Sequence, residues 1–233
     1  MKPVSKGPAP RNYLAYETAK PDLIAQIGQQ CSYCEAPGDP QALHVEHIYP
    51  KYPHPERERN WDNFLLACVT CNSYKSIHLG NKRRRGLERR YLWPHLDNTY
   101  TAFEYLQDGR VSANPAVTPS IQKAAKAIQE MAGILRSPAK ARKYAKLGIA
   151  YDGVDKRKEL WQIILSQRAI YLSNPTPNGV AAIALAAPRL GYFSIWMKAF
   201  EARPEVRQAL ITAFKADTAC FDADTRAVPK GRL

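Results

Sequence analysis

Two Cys-x-x-Cys pairs, Cys31/Cys34 and Cys68/Cys71, constrain this chain more than any other feature. Each such knuckle can set two sulfurs on one tetrahedral ion, and two knuckles complete an all-cysteine set of four ligands. With every position taken by sulfur, the site is closed and structural, with no place for a catalytic water. The expected ion is Zn2+, tying a helix near residue 30 to the end of a strand and adding folding free energy that a small core lacks. The rival reading is two unrelated pairs of buried cysteines. Two pairs flanking a histidine motif favour metal. His44, His54 and His78 can each replace a cysteine, but none is needed, and each is expected at the surface or partly packed. Cys220 is left over and reads as a small buried apolar residue.

Charge narrows the partners. Lys+Arg 34 against Asp+Glu 21 gives a net charge of +13 and a pI near 9.6. Such an excess attracts polyanions, nucleic acid foremost. A membrane surface is the rival, and no stretch joins a basic face to a broad aromatic one. The first residues, MKPVSKGPAPRNYL, lack the apolar centre of a signal peptide. The longest apolar run, Val180 to Ala187, is too short to span a bilayer. A cytoplasmic location is expected, where paired cysteines lean towards metal rather than disulfides.

The chain reads as α+β in three parts: an N-terminal arm and helix (1–30), a metal-stapled core (31–113) and a helical region (114–233). Residues 1–20 hold three prolines and no strong period, so an extended arm is expected. Pro21 suits the first turn of a helix whose Leu23, Ile24 and Ile27 share a face. Ala42–Ile48 and Trp61–Ala67 read as short strands separated by a proline-rich charged loop, and a helix begins at Asn72. Asp108-Gly109 marks a hairpin within 101–113. Ser120 can cap a helix with Ile121, Ala124, Ile128, Met131 and Leu135 inward. Further helices are expected over 155–172 (Leu160, Ile163, Ile164 and Ile170 inward), 179–187, 191–202 and 204–214. Trp161, Tyr171, Trp196, Phe200 and Phe214 fall within them as core.

Between the knuckles lie Glu46-His47 and Asn63, with Asn72 directly after the last cysteine. Phosphodiester hydrolysis needs a base to take a proton from water and a cation to hold a phosphate oxygen. His47 is the natural base, since imidazole titrates near neutral pH. Glu46 and Asn72 offer hard oxygens suited to Mg2+. Strand alternation sends Glu46 to the face opposite His47 unless the strand ends there. Asn63 carries an amide that can hold the long loop over the second strand.

This pattern resembles the HNH endonucleases, whose site is a ββα-metal fold. The resemblance implies His47 as general base, Glu46 and Asn72 as ligands of a catalytic Mg2+ or Mn2+, Asn63 as the residue that orients the loop, and Lys75 facing substrate phosphate. VEHIYPK, NFLLACVTCNSYK and GYFSIWM…CFD further resemble the HNH subunit family of Septu-type anti-phage systems, also found with some retrons. That likeness implies a partner, the ABC-type ATPase PtuA, a defence role, and in retron systems a reverse transcriptase with its msDNA.

Residues 82–90, KRRRGLERR, carry six basic residues and one acidic. Arg83, Arg84, Arg85, Arg89 and Arg90 are expected to grip the nucleic-acid backbone, giving affinity without sequence choice. The alternative is a solvated face, or one paired with an acidic partner. Three functions compete: a DNA-cutting endonuclease gated by an ATPase, an RNA- or tRNA-cutting effector with the same chemistry, and a zinc-ribbon binding module without catalysis.

Overall fold

The computed structural model describes residues 1–80, 85–134 and 153–232. Strands β1 (Leu43–His47) and β2 (Phe64–Cys68) pair antiparallel, with Leu43 opposite Cys68 and His47 opposite Phe64. Phe64, Leu65, Leu66 and Ala67 are all buried, so β2 is covered on both faces. Helix α2 (Val69–Leu79) follows without a loop, its first turn capped by Cys68, whose Sγ accepts from the Cys71 amide at 3.5 Å. The helix thus starts before Asn72, placing Cys71 and Asn72 inside its first turn. Helix α1 (Lys20–Ile27) buries Leu23 and Ile27, each contributing about 1.5–3 kcal/mol by leaving water.

The N-terminal arm carries no helix or strand before Tyr16, and it packs against the rest of the fold. Met1, Val4 and Tyr13 are buried, and Tyr13 stacks on Trp61 at 5.8 Å. The Lys2 ammonium donates to Ile27 O, Gln30 Oε1 and Phe214 O, and that of Lys6 donates to the carbonyls of Trp61, Asp62 and Phe64. Three acceptors match the three donors of an ammonium, which is what lets each lysine be buried. Such side-chain-to-backbone anchors leave no periodic mark in a sequence.

Helix α3 (Leu87–Arg90) leads to a hairpin of β3 (Phe103–Tyr105) and β4 (Val111–Ala113). Its turn requires Gly109: φ is +84°, and a Cβ there would sit 2.0 Å from Val154 O. Helix α4 (Pro119–Met131) starts just before Ser120 and buries Ile121, Ala124, Ile128 and Met131; Leu135 lies outside the described residues. These side chains join the core of the strands and α1, so α4 packs with the four-cysteine part rather than with the later helices.

The second core belongs to α5 (Gly153–Ser173), α6 (Pro177–Leu190), α7 (Phe193–Ala199) and α8 (Pro204–Ala213). Trp161, Tyr171, Trp196, Phe200, Phe214 and Cys220 are all buried in it. Leu160 and Ile164 point inward as expected, whereas Ile163 and Ile170 are exposed, at 44% and 72%, as is Leu185 of α6 at 70%. The 3.6-residue period explains the difference: only part of that apolar set fits one stripe. Among the described residues no helix is long and apolar enough to cross a membrane.

Glu35, one residue past the first knuckle, joins the two cores. Its carboxylate accepts from the amide and hydroxyl of Ser194 at 3.0 and 2.6 Å, and its carbonyl accepts from Tyr192 N at 2.8 Å. The Met1 amine pairs with the same carboxylate at 3.4 Å. These contacts hold Glu35 at φ +63°, a left-handed conformation that costs a non-glycine residue about 1–3 kcal/mol.

His95 sets an acid limit on this fold. Burial first, then Lys6 and Lys230, push its imidazole down from 6.5 to about 3, and its buried Nδ1 has no partner among the described residues. As pH falls through 6.5 the unfolded chain takes a proton that the folded one refuses, so stability falls until about pH 3. At about 1.4 kcal/mol per unit, the loss reaches a few kcal/mol. Urea melts should show wild type weakening from pH 6.5 to 4 and His95→Asn weakening much less; parallel curves would reject this assignment.

Candidate nuclease centre and metal site

The four cysteine sulfurs lie within 4.8 Å of one another, and Cys34 and Cys68 are 3.8 Å apart. Tetrahedral Zn–S bonds of about 2.3 Å put sulfurs roughly 3.8 Å apart, so the cluster fits that ion. Burial pushes the Cys31 thiol up and contacts with its neighbours push Cys71 up, while the same kind of contacts hold Cys68 well down. The group therefore shares little negative charge on its own, and a divalent cation is what would let all four sulfurs ionise. Among the described residues this is the one group of three or more His, Cys, Asp or Glu side chains arranged to hold an ion.

Glu46 and His47 close β1, which ends at His47, and their side chains meet different neighbours. Glu46 is 2% exposed and turns towards α2. Its Oε1 lies 2.5 Å from Lys75 Nζ and accepts from Tyr33 OH at 3.2 Å. Lys75 also donates to the carbonyl of His47. The structure thus gives Lys75 a place other than the expected phosphate-facing one: it is 3% exposed, because the buried carboxylate needs a cation beside it. Asn72, a turn earlier on α2, is half-buried and its side chain makes no hydrogen bond with the described residues.

The imidazole of His47 packs edge-on against Tyr16 and Phe64, with centroids at 4.6 and 5.3 Å. Its Nε2 lies 2.9 Å from Glu58 O. A carbonyl can only accept, so the neutral ring carries its proton on Nε2 and keeps the Nδ1 lone pair. Burial is the main cause lowering this pKa, which favours the neutral form; the Glu58 contact and the Glu46 charge oppose it, and Lys75 and Lys51 assist.

Asn63 explains why Glu58 stands there. Its Oδ1 accepts from Tyr49 N at 2.7 Å, and its Nδ2 donates to Tyr49 O and Arg57 O, both at 3.0 Å. One amide thereby ties both ends of loop 49–58, and the loop delivers a carbonyl to His47.

Sequence reasoning missed Tyr16, Tyr33, Lys51 and Glu58. Lys51 is exposed, with its ammonium 4.4 Å from the Tyr16 ring centre and 3.1 Å from its hydroxyl. Lys51 closes the VEHIYPK run, a signal that could have flagged it; backbone carbonyls such as Glu58 O carry no sequence signal at all. Of the basic run, Arg85, Arg89 and Arg90 are exposed, while Arg83 and Arg84 lie outside the described residues.

The HNH endonuclease family model matches residues 31–76, the span from the first knuckle through α2. That segment of a mixed α+β chain is thus similar to an HNH endonuclease domain, which supports action on nucleic acid. A search of curated proteins gives no match.

Proposed function

We propose that this protein is a metal-dependent endonuclease that hydrolyses phosphodiester bonds, with DNA as the favoured substrate. One observation carries the reading: a neutral histidine, fixed through Glu58 by the Asn63-tethered loop, stands next in sequence to a buried carboxylate turned towards α2. His47 Nδ1 takes the proton from the attacking water. Asn63 holds the loop that sets the tautomer of that base. Glu46 and Asn72 would hold Mg2+ or Mn2+, a hard-oxygen pair that leaves positions for water and phosphate. The ion supplies charge neutralisation for the phosphate and the departing oxygen. Lys75 keeps Glu46 in place, and Lys51, exposed beside His47, is the cation that meets substrate there. Arg85, Arg89 and Arg90 grip the backbone nearby, joined by Arg83 and Arg84 of the same run. Cys31, Cys34, Cys68 and Cys71 hold the structural Zn2+.

The wider sequence likeness supports a defence role beside an ABC-type ATPase such as PtuA. The buried aromatics are unavailable for that contact. Ile163, Ile170 and Leu185 supply the exposed apolar surface instead. The test is digestion of duplex DNA and of RNA in Mg2+, with and without the ATPase and its ATP. Mg2+-dependent cutting of DNA is expected, stimulated by the partner and not stimulated in Ile170→Asp. Cutting of RNA alone would move the protein to the RNA-effector reading, and no cutting of either under any condition would leave a binding module.

A further inference from the structure

The outer face of α4 forms one wall of an open groove of about 1050 Å³. Arg89 and Arg90, at the end of α3, line the other side, and Gln122, Lys123, Lys126 and Glu130 of α4 face them. Lys123 and Lys126 are three residues apart, so they project from one face of the helix. Both are exposed, as are the two arginines, and none of the four pairs with a carboxylate among the described residues. Four unpaired cations and one acid around a single concave surface leave a strong positive field there.

The groove is also fixed to the helix of the nuclease centre. Gly133, just past α4, lies against Tyr74 of α2: a Cβ there would sit 2.6 Å from the ring. Asn72 and Lys75 belong to that same helix. The end of α3 is held as well, since Arg232 donates to Arg89 O at 2.6 Å. A ligand in the groove would therefore stand at a set distance from His47, not on a loose tail.

We infer that this groove seats the sugar-phosphate backbone of the nucleic-acid substrate, with Lys123 and Lys126 as its phosphate contacts opposite Arg89 and Arg90. The inference rests on the endonuclease reading and adds to it a second site of grip on an element outside the 31–76 segment. Backbone contacts of this kind carry affinity, position the strand and ignore its sequence.

The test is salt-dependent binding of the full chain to a labelled duplex DNA and to a labelled single-stranded RNA, without added Mg2+ so that neither is cut. Each lost phosphate contact lowers the slope of log affinity against log salt by about 0.9 on duplex DNA and about 0.7 on a single strand. Lys123→Ala with Lys126→Ala should therefore flatten it by about 1.8 or about 1.4, and weaken binding roughly 25- to 60-fold at 0.1 M salt. Which slope change appears tells which backbone lies there. Lys158→Ala with Lys198→Ala removes the same charge from α5 and α7 and should leave the slope unchanged. An unchanged slope in the groove variant, or an equal fall in the control, overturns the groove while the nuclease reading stands on the activity of wild type. A wild type that neither binds nor cuts removes both.

Discussion

Replacing His47 with alanine is expected to lower the cleavage rate by about 10²- to 10⁴-fold, the usual worth of a positioned general base. Nucleic-acid binding should persist, because the cations that meet phosphate lie on other residues. The ring is buried between Tyr16 and Phe64, so alanine leaves a small cavity and costs some stability. His47→Asn fills more of that space and can still donate towards Glu58 O, yet has no basic nitrogen. Both variants should be inactive, and the asparagine form should melt close to wild type. Wild-type cleavage by either, at matched folding, would remove His47 from the chemistry. A loss of binding in step with activity would show a scaffolding role instead.

The second large effect is expected from the cysteine cluster. Cys71→Ser should lose bound zinc and with it the fold of the strands and α2. Structural zinc is worth about 10–16 kcal/mol in small metal-dependent domains, as much as a whole protein's net stability. The damage should also reach the helical region, since Glu35 beside the first knuckle is bonded to Ser194 and Tyr192 at the start of α7. Metal analysis should find one zinc per chain in wild type and little in the variant. Near-ultraviolet signals from Trp93 in the first core and Trp196 in the second should fade together. A metal-free chain with an unchanged melting temperature would show that the sulfurs are ordinary core. Melting confined to the first core would show that Glu35 is no bridge.

The elements that stage the site were open to sequence reasoning because each leaves a local signal. The knuckle spacing, the alternation in β1, the Asp-Gly of the hairpin and the proline that opens α1 all act over a few residues. The site itself was legible only as residue types: Glu46, His47, Asn63 and Asn72 could be named, but not what they touch. The pairing of Lys75 with Glu46 depends on how α2 lies across β1, which no pattern encodes. What holds the N-terminal arm in place was not legible for a like reason. Its anchors are lysines reaching distant carbonyls, and a lysine among prolines reads as solvated. Ile163 and Ile170 show the converse: an apolar residue on a helix was taken as inward, though only the packed neighbour decides which stripe is covered.

The early residues also bear on when this molecule can become whole. Lys2 is bonded to Phe214 O, and Pro3 O accepts from Asp217 N at 3.0 Å. A ribosome adding about 5–20 residues per second needs roughly 10–40 s to travel between such partners. Throughout that interval Lys2 lacks one of its three acceptors and Pro3 O its donor, although the segment with His47 has long since emerged. A cell making this basic chain therefore obtains these interlocking contacts only after residue 217 has emerged.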